Sequence, residues 1–158
     1  MTPTENILVA NVLRKGVTTI KNAALEPHVM NLVDFLRTAG ADISIRYDHT
    51  IIVEGVEELK ELPPFAIVSD YIQSGTYMVI AALCAKDYID IHHARTKDLY
   101  SYIEKFREAG VKVEEREDDT LRVYRAHTIV PHSIQTNIFP GFPTDLQSPF
   151  VVMMTQAE

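Results

Sequence analysis

Apolar residues fall at Val29, Leu32, Val33 and Leu36, the i, i+3, i+4, i+7 spacing that predicts a helix with one buried face. Seventy residues further on, Leu99, Tyr102, Ile103 and Phe106 repeat that spacing. Each stripe stops at an Ala-Gly pair, Ala39-Gly40 and Ala109-Gly110, where a left-handed C′ residue is expected. Two short strand-like runs then flank an acidic turn, "RYDHT" in one copy and "REDDT" in the other. Upstream, "TENILVANVLRKG" and "SGTYMVIAALCAK" read as apolar helices, followed by the strands "VTTIKNA" and "DYIDIHHA". The second helix of each copy opens at Pro27, an early helical position, or at Thr96, an N-cap ahead of Asp98.

The two copies align without a gap from Asn31–Val53 onto Ser101–Val123. Arg37, Ala39, Gly40, Arg46, Asp48, Thr50 and Val53 meet identical residues, and upstream Val9, Leu13 and Ala24 fall on Val79, Leu83 and Ala94. The repeated order is helix, strand, helix, strand, strand. A strand in front would complete a βαβαββ unit. "PFAIVSD" (Pro64 to Asp70) supplies one to the second copy, whereas the first has only Met1-Thr2-Pro3 before its helix and reads as cut. Between the copies lies "GVEELKELPP", whose Pro-Pro end blocks helix continuation and marks a boundary. A unit of about 65 residues buries only a marginal core by itself, so each copy is expected to need neighbours.

Composition narrows the class. The chain of 158 residues is 46% hydrophobic, an ordinary globular value. A net charge of −7 with no lysine or arginine run argues against a nucleic-acid or anionic-membrane surface. A single cysteine, Cys84, excludes an internal disulfide and fits a reducing, cytoplasmic setting. There is no signal-peptide pattern and no apolar run long enough to span a bilayer.

Candidate chemistry is sparse. His92 and His93 are adjacent, so on a strand they point to opposite faces, and His28, His49, His127 and His132 lack metal-ligand spacing. No metal and no cofactor are expected. Cys84, set in "VIAALCA", reads as a buried structural thiol. Glycine-rich phosphate loops and nucleophile elbows are absent, and helix starts at "TPTEN" and "QSGTY" read as plain caps. The stretch "FPGFPTDLQSPF" (Phe139 to Phe150) stands out as stiff and apolar, with one carboxylate, Asp145. "TDLQ" fits a capping box, with Thr144 as N-cap and Gln147 at N3. Alternatively Ser148 caps a helix that begins at Pro149 and leaves Asp145 in the loop. Spacing favours an acidic first-turn residue; the functional alternative is a preorganised carboxylate aimed into a cleft.

Two stretches, "NAALEPHVMNLVDFLRTAGADI" and "FPGFPTDLQ", together with the "TENILVANVL" and "SGTYMVIAAL" helices, resemble the enolpyruvyl transferases that act on UDP-N-acetylglucosamine in peptidoglycan synthesis. The resemblance covers essentially the whole chain, with the motifs in family order. It implies an α/β fold of repeated βαβαββ units forming an inside-out α/β barrel. Residues 1–60 would be the last unit of one domain, and 61–158 the first unit of the second domain with the start of the next. It implies enolpyruvyl transfer from phosphoenolpyruvate to the 3-hydroxyl of UDP-N-acetylglucosamine, with Asp145 as base or positioning group at that hydroxyl. The diphosphate site implied before the T-E-N helix is reduced to Thr2-Pro3-Thr4, which makes Thr2 and Thr4 candidate substrate-binding residues. The family's reactive cysteine, its lysine and its arginines fall outside residues 1–158, and Cys84 does not match that cysteine. Tyr71 stands where many members carry an arginine. The chain therefore reads as a fragment, inactive alone. The competing expectation is a non-catalytic repeat module that binds a nucleotide or a protein partner.

Overall fold

The computed structural model describes residues 1–158 and divides into two compact units, Met1–Val68 and Ser69–Glu158. In the first unit, helix α1 (Thr2–Asn11) leads to strand β1 (Val17–Ile20), helix α2 (Pro27–Thr38) and strands β2 (Asp42–Arg46) and β3 (Thr50–Glu54). The strands form an antiparallel sheet in the order β1-β3-β2. In the second unit, α3 (Tyr71–Cys84), β4 (Tyr88–Ile91), α4 (Tyr100–Glu108), β5 (Val113–Arg116) and β6 (Thr120–Tyr124) repeat this order, and the sheet runs β4-β6-β5. A 3₁₀ turn at Thr144–Leu146 and helix α5 (Gln147–Met154) complete it.

The helix stripes are buried as their spacing predicts. Val29, Val33 and Leu36 are buried with Leu32 half-buried, and Leu99, Tyr102, Ile103 and Phe106 are all buried. Pro27 takes the first turn of α2, where its missing N–H costs nothing. Gly40 and Gly110 have φ of +98° and +85°, the left-handed stop. The repeat extends to single bonds. Arg37 donates to the Ile43 carbonyl as Arg107 does to that of Val113. The Lys60 N–H reaches the Ala39 carbonyl as the Val130 N–H reaches that of Ala109.

The gapless match slips by one residue across β1. Ile20 lies opposite Ile51, but the partner of Leu121, seventy residues beyond Ile51, is Ile91. Ala23, not Ala24, therefore corresponds to Ala94: each N–H reaches the following turn, at His49 and Asp119 respectively. Between equivalent hydrogen-bonded positions, Val12 to Gly16 in the first unit and Ala82 to Asp87 in the second, the chain is one residue shorter in the first unit.

Four further expectations are corrected. "PFAIVSD" forms no strand. An extended segment becomes a strand only beside another, and here the Asn31 side chain takes its backbone groups, accepting from the Val68 N–H and donating to the Ala66 carbonyl. Residues 61–68 thus pack in the first unit. Thr96 does not cap α4: it opens a separate 3₁₀ turn, Thr96–Asp98, and Asp98 pairs with Arg95 at 2.7 Å. Cys84 is exposed because it ends α3 on the side away from buried Ala81 and Ala82. His92 and His93 lie beyond the end of β4, and His93 has a left-handed φ of 55°.

Candidate functional site

Asp145 sits in the 3₁₀ turn ahead of α5, and neither sequence-level capping scheme is realised there. Thr144 makes no side-chain cap bond to Gln147, Leu146 occupies the N-cap position of α5, and Ser148 and Pro149 lie inside its first turn. What holds the turn is burial on both sides of the aspartate. Phe142 is buried among Tyr102 and Phe150, with ring centroids 5.1 and 5.5 Å away. Leu146, fully buried, lies against Gly75 of α3. The Leu146 N–H donates to the Pro143 carbonyl at 3.1 Å, and the Asn137 N–H to the Phe142 carbonyl at 2.9 Å. Asp145 itself is exposed, and its carboxylate has no hydrogen bond or ion pair. A carboxylate on an anchored backbone with no internal partner is free to accept a proton or a hydroxyl hydrogen bond from a bound molecule.

Thr2 and Thr4 belong to the first unit, and the structure makes them the opening turn of α1 instead of a loop. Thr2 is exposed. Thr4 is buried, and its hydroxyl accepts the Ala24 N–H at 3.0 Å. That bond ties α1 to the chain leaving β1, which engages the hydroxyl in the fold.

A concavity away from these residues was not foreseen in the sequence. A cavity of about 490 Å³ lies between the start of α3 and the end of β4, lined by Asp70, Gln73, Tyr77, Asp90, His92 and His93 among others. The only sequence signal for it is the polar spacing of Asp70, Gln73, Ser74 and Tyr77, one face of a helix. Asp70 caps α3, accepting from the Ile72 N–H at 2.8 Å and the Gln73 N–H at 3.3 Å. Asp90 receives two bonds from Arg122, at 2.7 and 2.6 Å, and these hold its carboxyl below the usual aspartate value. Arg122 also lies 3.7 Å over the Tyr88 ring. His92 Nδ1 is 3.1 Å from the Thr120 hydroxyl. No three His, Cys, Asp or Glu side chains gather as a metal-binding group. No helix is long and apolar enough to cross a membrane. Asp145 does not line this cavity.

The family model for EPSP synthase (3-phosphoshikimate 1-carboxyvinyltransferase) matches residues 1–158, and the chain belongs to that family. A UDP-N-acetylglucosamine 1-carboxyvinyltransferase from Lactobacillus johnsonii is 41% identical over 155 residues, which cover 98% of this chain and 36% of that protein. The enzyme of the same name from Sorangium cellulosum is 42% identical over 161 residues, covering 100% and 37%. The chain thus spans little more than a third of the length of the curated relatives it matches. Among solved structures, the enolpyruvyl transferase NikO from Streptomyces tendae superposes with a TM-score of 0.85 at 23% identity, covering 99% of this chain and 37% of that one. At that identity the likeness is one of fold.

Proposed function

We propose that this chain is part of a transferase that moves the enolpyruvyl group of phosphoenolpyruvate to the 3-hydroxyl of UDP-N-acetylglucosamine in cell-wall synthesis. Residues 1–60 are assigned to the last repeat of one domain and 61–158, whose first residues pack against that unit, to the first repeat of the second domain with the start of the next. The observation that carries this reading is Asp145: exposed, without a side-chain partner, on a turn fixed from both sides. The names of the relatives, at about 40% identity across the whole chain, support the substrate pair. The single cysteine and the acidic charge fit a cytoplasmic enzyme.

The reaction adds the sugar hydroxyl to C2 of phosphoenolpyruvate while C3 takes a proton, and then expels phosphate as C3 loses one. Asp145 is assigned the hydroxyl: it accepts that proton, or its hydrogen bond, as the oxygen attacks C2. Rigid anchoring matters because a positioned nucleophile carries much of its barrier lowering in preset geometry. Thr2 and Thr4 are assigned to the diphosphate side; with the Thr4 hydroxyl engaged, Pro3 lacking an N–H and the Thr4 and Glu5 N–H groups bonded to the Met1 carbonyl, Thr2 is left to offer the donors, through its hydroxyl and its N–H. The segment alone supplies neither the acid for C3 nor a cationic clamp for phosphate, so the isolated chain is inactive.

The test is Asp145→Asn in a complete enzyme carrying this segment. The expected outcome is a fall in kcat of about two to four orders of magnitude with the melting temperature nearly unchanged. Near-normal turnover would return Asp145 to an ordinary turn residue. Phosphate release by the isolated chain above background would make it a smaller, different enzyme.

A further inference from the structure

Nothing attached to the Asp145 carboxylate holds it in place, so its position must come from the backbone on either side. On the C-terminal side that anchor is Leu146, whose side chain is fully buried in the same core as Tyr102, Phe142 and Phe150. Leu146 can seat there because α3 carries glycine at position 75. A Cβ built on Gly75 would stand 2.5 Å from Leu146 Cδ1, 2.8 Å from Cδ2 and 3.2 Å from Cγ. Three atoms of one branched side chain crowd that point, and Leu146, with no exposed surface in a close-packed core, must shift if a Cβ is added there. Gly75 is not there for its backbone: it lies inside a regular helix and is not among the glycines with positive φ. Glycine in a helix interior is less favourable than alanine. Close approach of another element is the gain that offsets it.

We infer that Gly75 is a positioning residue for Asp145: the missing side chain on α3 is the socket for Leu146, and the plugged socket sets where the neighbouring carboxylate stands. This rests on the reading of Asp145 given above, and adds a residue on a different element that acts only through Leu146. The cavity at the start of α3 is lined from Asp70, Gln73, Ser74 and Tyr77, whereas Gly75 points to the other side of the helix.

The experiment has two arms. In the 158-residue chain, Gly75→Ala, Leu146→Ala and the double variant are compared by ¹H–¹⁵N and carboxyl ¹³C NMR. Gly75→Ala is expected to shift the resonances of Thr144, Asp145 and Leu146 while leaving β5 and β6 in place, and adding Leu146→Ala should move Asp145 back toward its wild-type position. If Gly75→Ala does not fold, refolding of the double variant supports the socket, and its failure to refold overturns it. A folded Gly75→Ala chain with unmoved Asp145 resonances also overturns it. In a complete enzyme carrying the segment, Gly75→Ala should lower kcat by about ten- to a hundredfold, the scale of a misplaced reacting group, with each KM within about threefold. In an Asp145→Asn background the same change should cost nothing further. An equal loss in both backgrounds overturns the positioning role. A silent Asp145→Asn would instead remove the catalytic reading and leave the NMR arm to judge the socket.

Discussion

Val9 and Val79 hold the same place in the two units, yet Val9 is 57% exposed and Val79 only 5%. The sheets, the paired helices and even the Arg37 and Arg107 bonds repeat, so the difference does not arise inside the αβαββ unit. It arises because α5 and its leading turn pack on α3, whereas α1 has no such cover in its own unit and leaves Ile7, Val9 and Leu13 open. One αβαββ unit therefore covers only one side of its first helix. In the second unit the other side is taken by α5 and its leading turn, and that turn also carries Asp145. Covering the helix and placing the carboxylate are one act of packing.

The largest expected effect breaks that cover. Phe150 is fully buried and meets Tyr102, Phe106 and Phe142 edge-on, with centroids 5.5 to 6.1 Å apart. Phe150→Ala should cost about 3–5 kcal/mol in urea unfolding followed by a probe in the second unit. It should also expose Val79 to solvent, as Val9 already is. A loss under about 1 kcal/mol would mean that α5 adds little to α3.

Next comes the loop that is one residue shorter in the first unit. The Gly55 N–H donates to the Gly16 carbonyl as the Arg125 N–H does to that of Asp87, so Gly55 and Arg125 are equivalent. A Cβ on Gly55 would land on the Arg14 carbonyl oxygen, because the shortened link draws that carbonyl in. Gly55→Ala should therefore destabilise the first unit by about 1–3 kcal/mol, the range for forced overpacking. Inserting one residue after Arg14 should recover most of it. No recovery would sever the glycine from the loop length.

The valines themselves give a smaller contrast. Val79→Ala removes two buried methyl groups, worth about 1.6 kcal/mol before any cavity term. Val9→Ala should fall within about 0.5 kcal/mol, as exposed positions do. Equal losses in thermal unfolding would show that Val9 is covered in solution.

Much of this was readable from residues. The α2 and α4 stripes, the Gly40 and Gly110 stops and the acidic turns follow from local periodicity and backbone preference, which act within a few residues. The strand expected at Pro64–Asp70 failed because strands are made by partners, and Asn31, far away in sequence, supplied one. Cys84 failed for a related reason: apolar neighbours in sequence are not neighbours around a helix. Asp145 was legible as a residue type on a stiff loop. Its anchoring was not, since Leu146 and Gly75 are brought together only by the fold, and neither residue signals the other.

The finest difference lies on the outer face of the second sheet. Glu114 accepts from Lys112, Tyr124 and Arg116, at 2.7, 3.0 and 2.9 Å, while the equivalent first-unit positions are Ser44, Asp42, Glu54 and Arg46. Only the second unit can build this cluster. Bonds from Lys112 first, then Tyr124 and Arg116, bring the Glu114 carboxyl down to about 2, against roughly 4.3 for an unperturbed glutamate. A carboxyl with a depressed folded pKa contributes stability in full above its unfolded value, and that contribution fades as pH falls toward the folded value. Between about pH 4.3 and 2 the second unit should thus lose a contribution that the first never had. Carboxyl ¹³C titration should place the Glu114 midpoint near 2, and Lys112→Met should raise it toward the unperturbed glutamate value. A midpoint already near 4.3 in the wild-type chain would dissolve the cluster and leave the two sheets alike in acid.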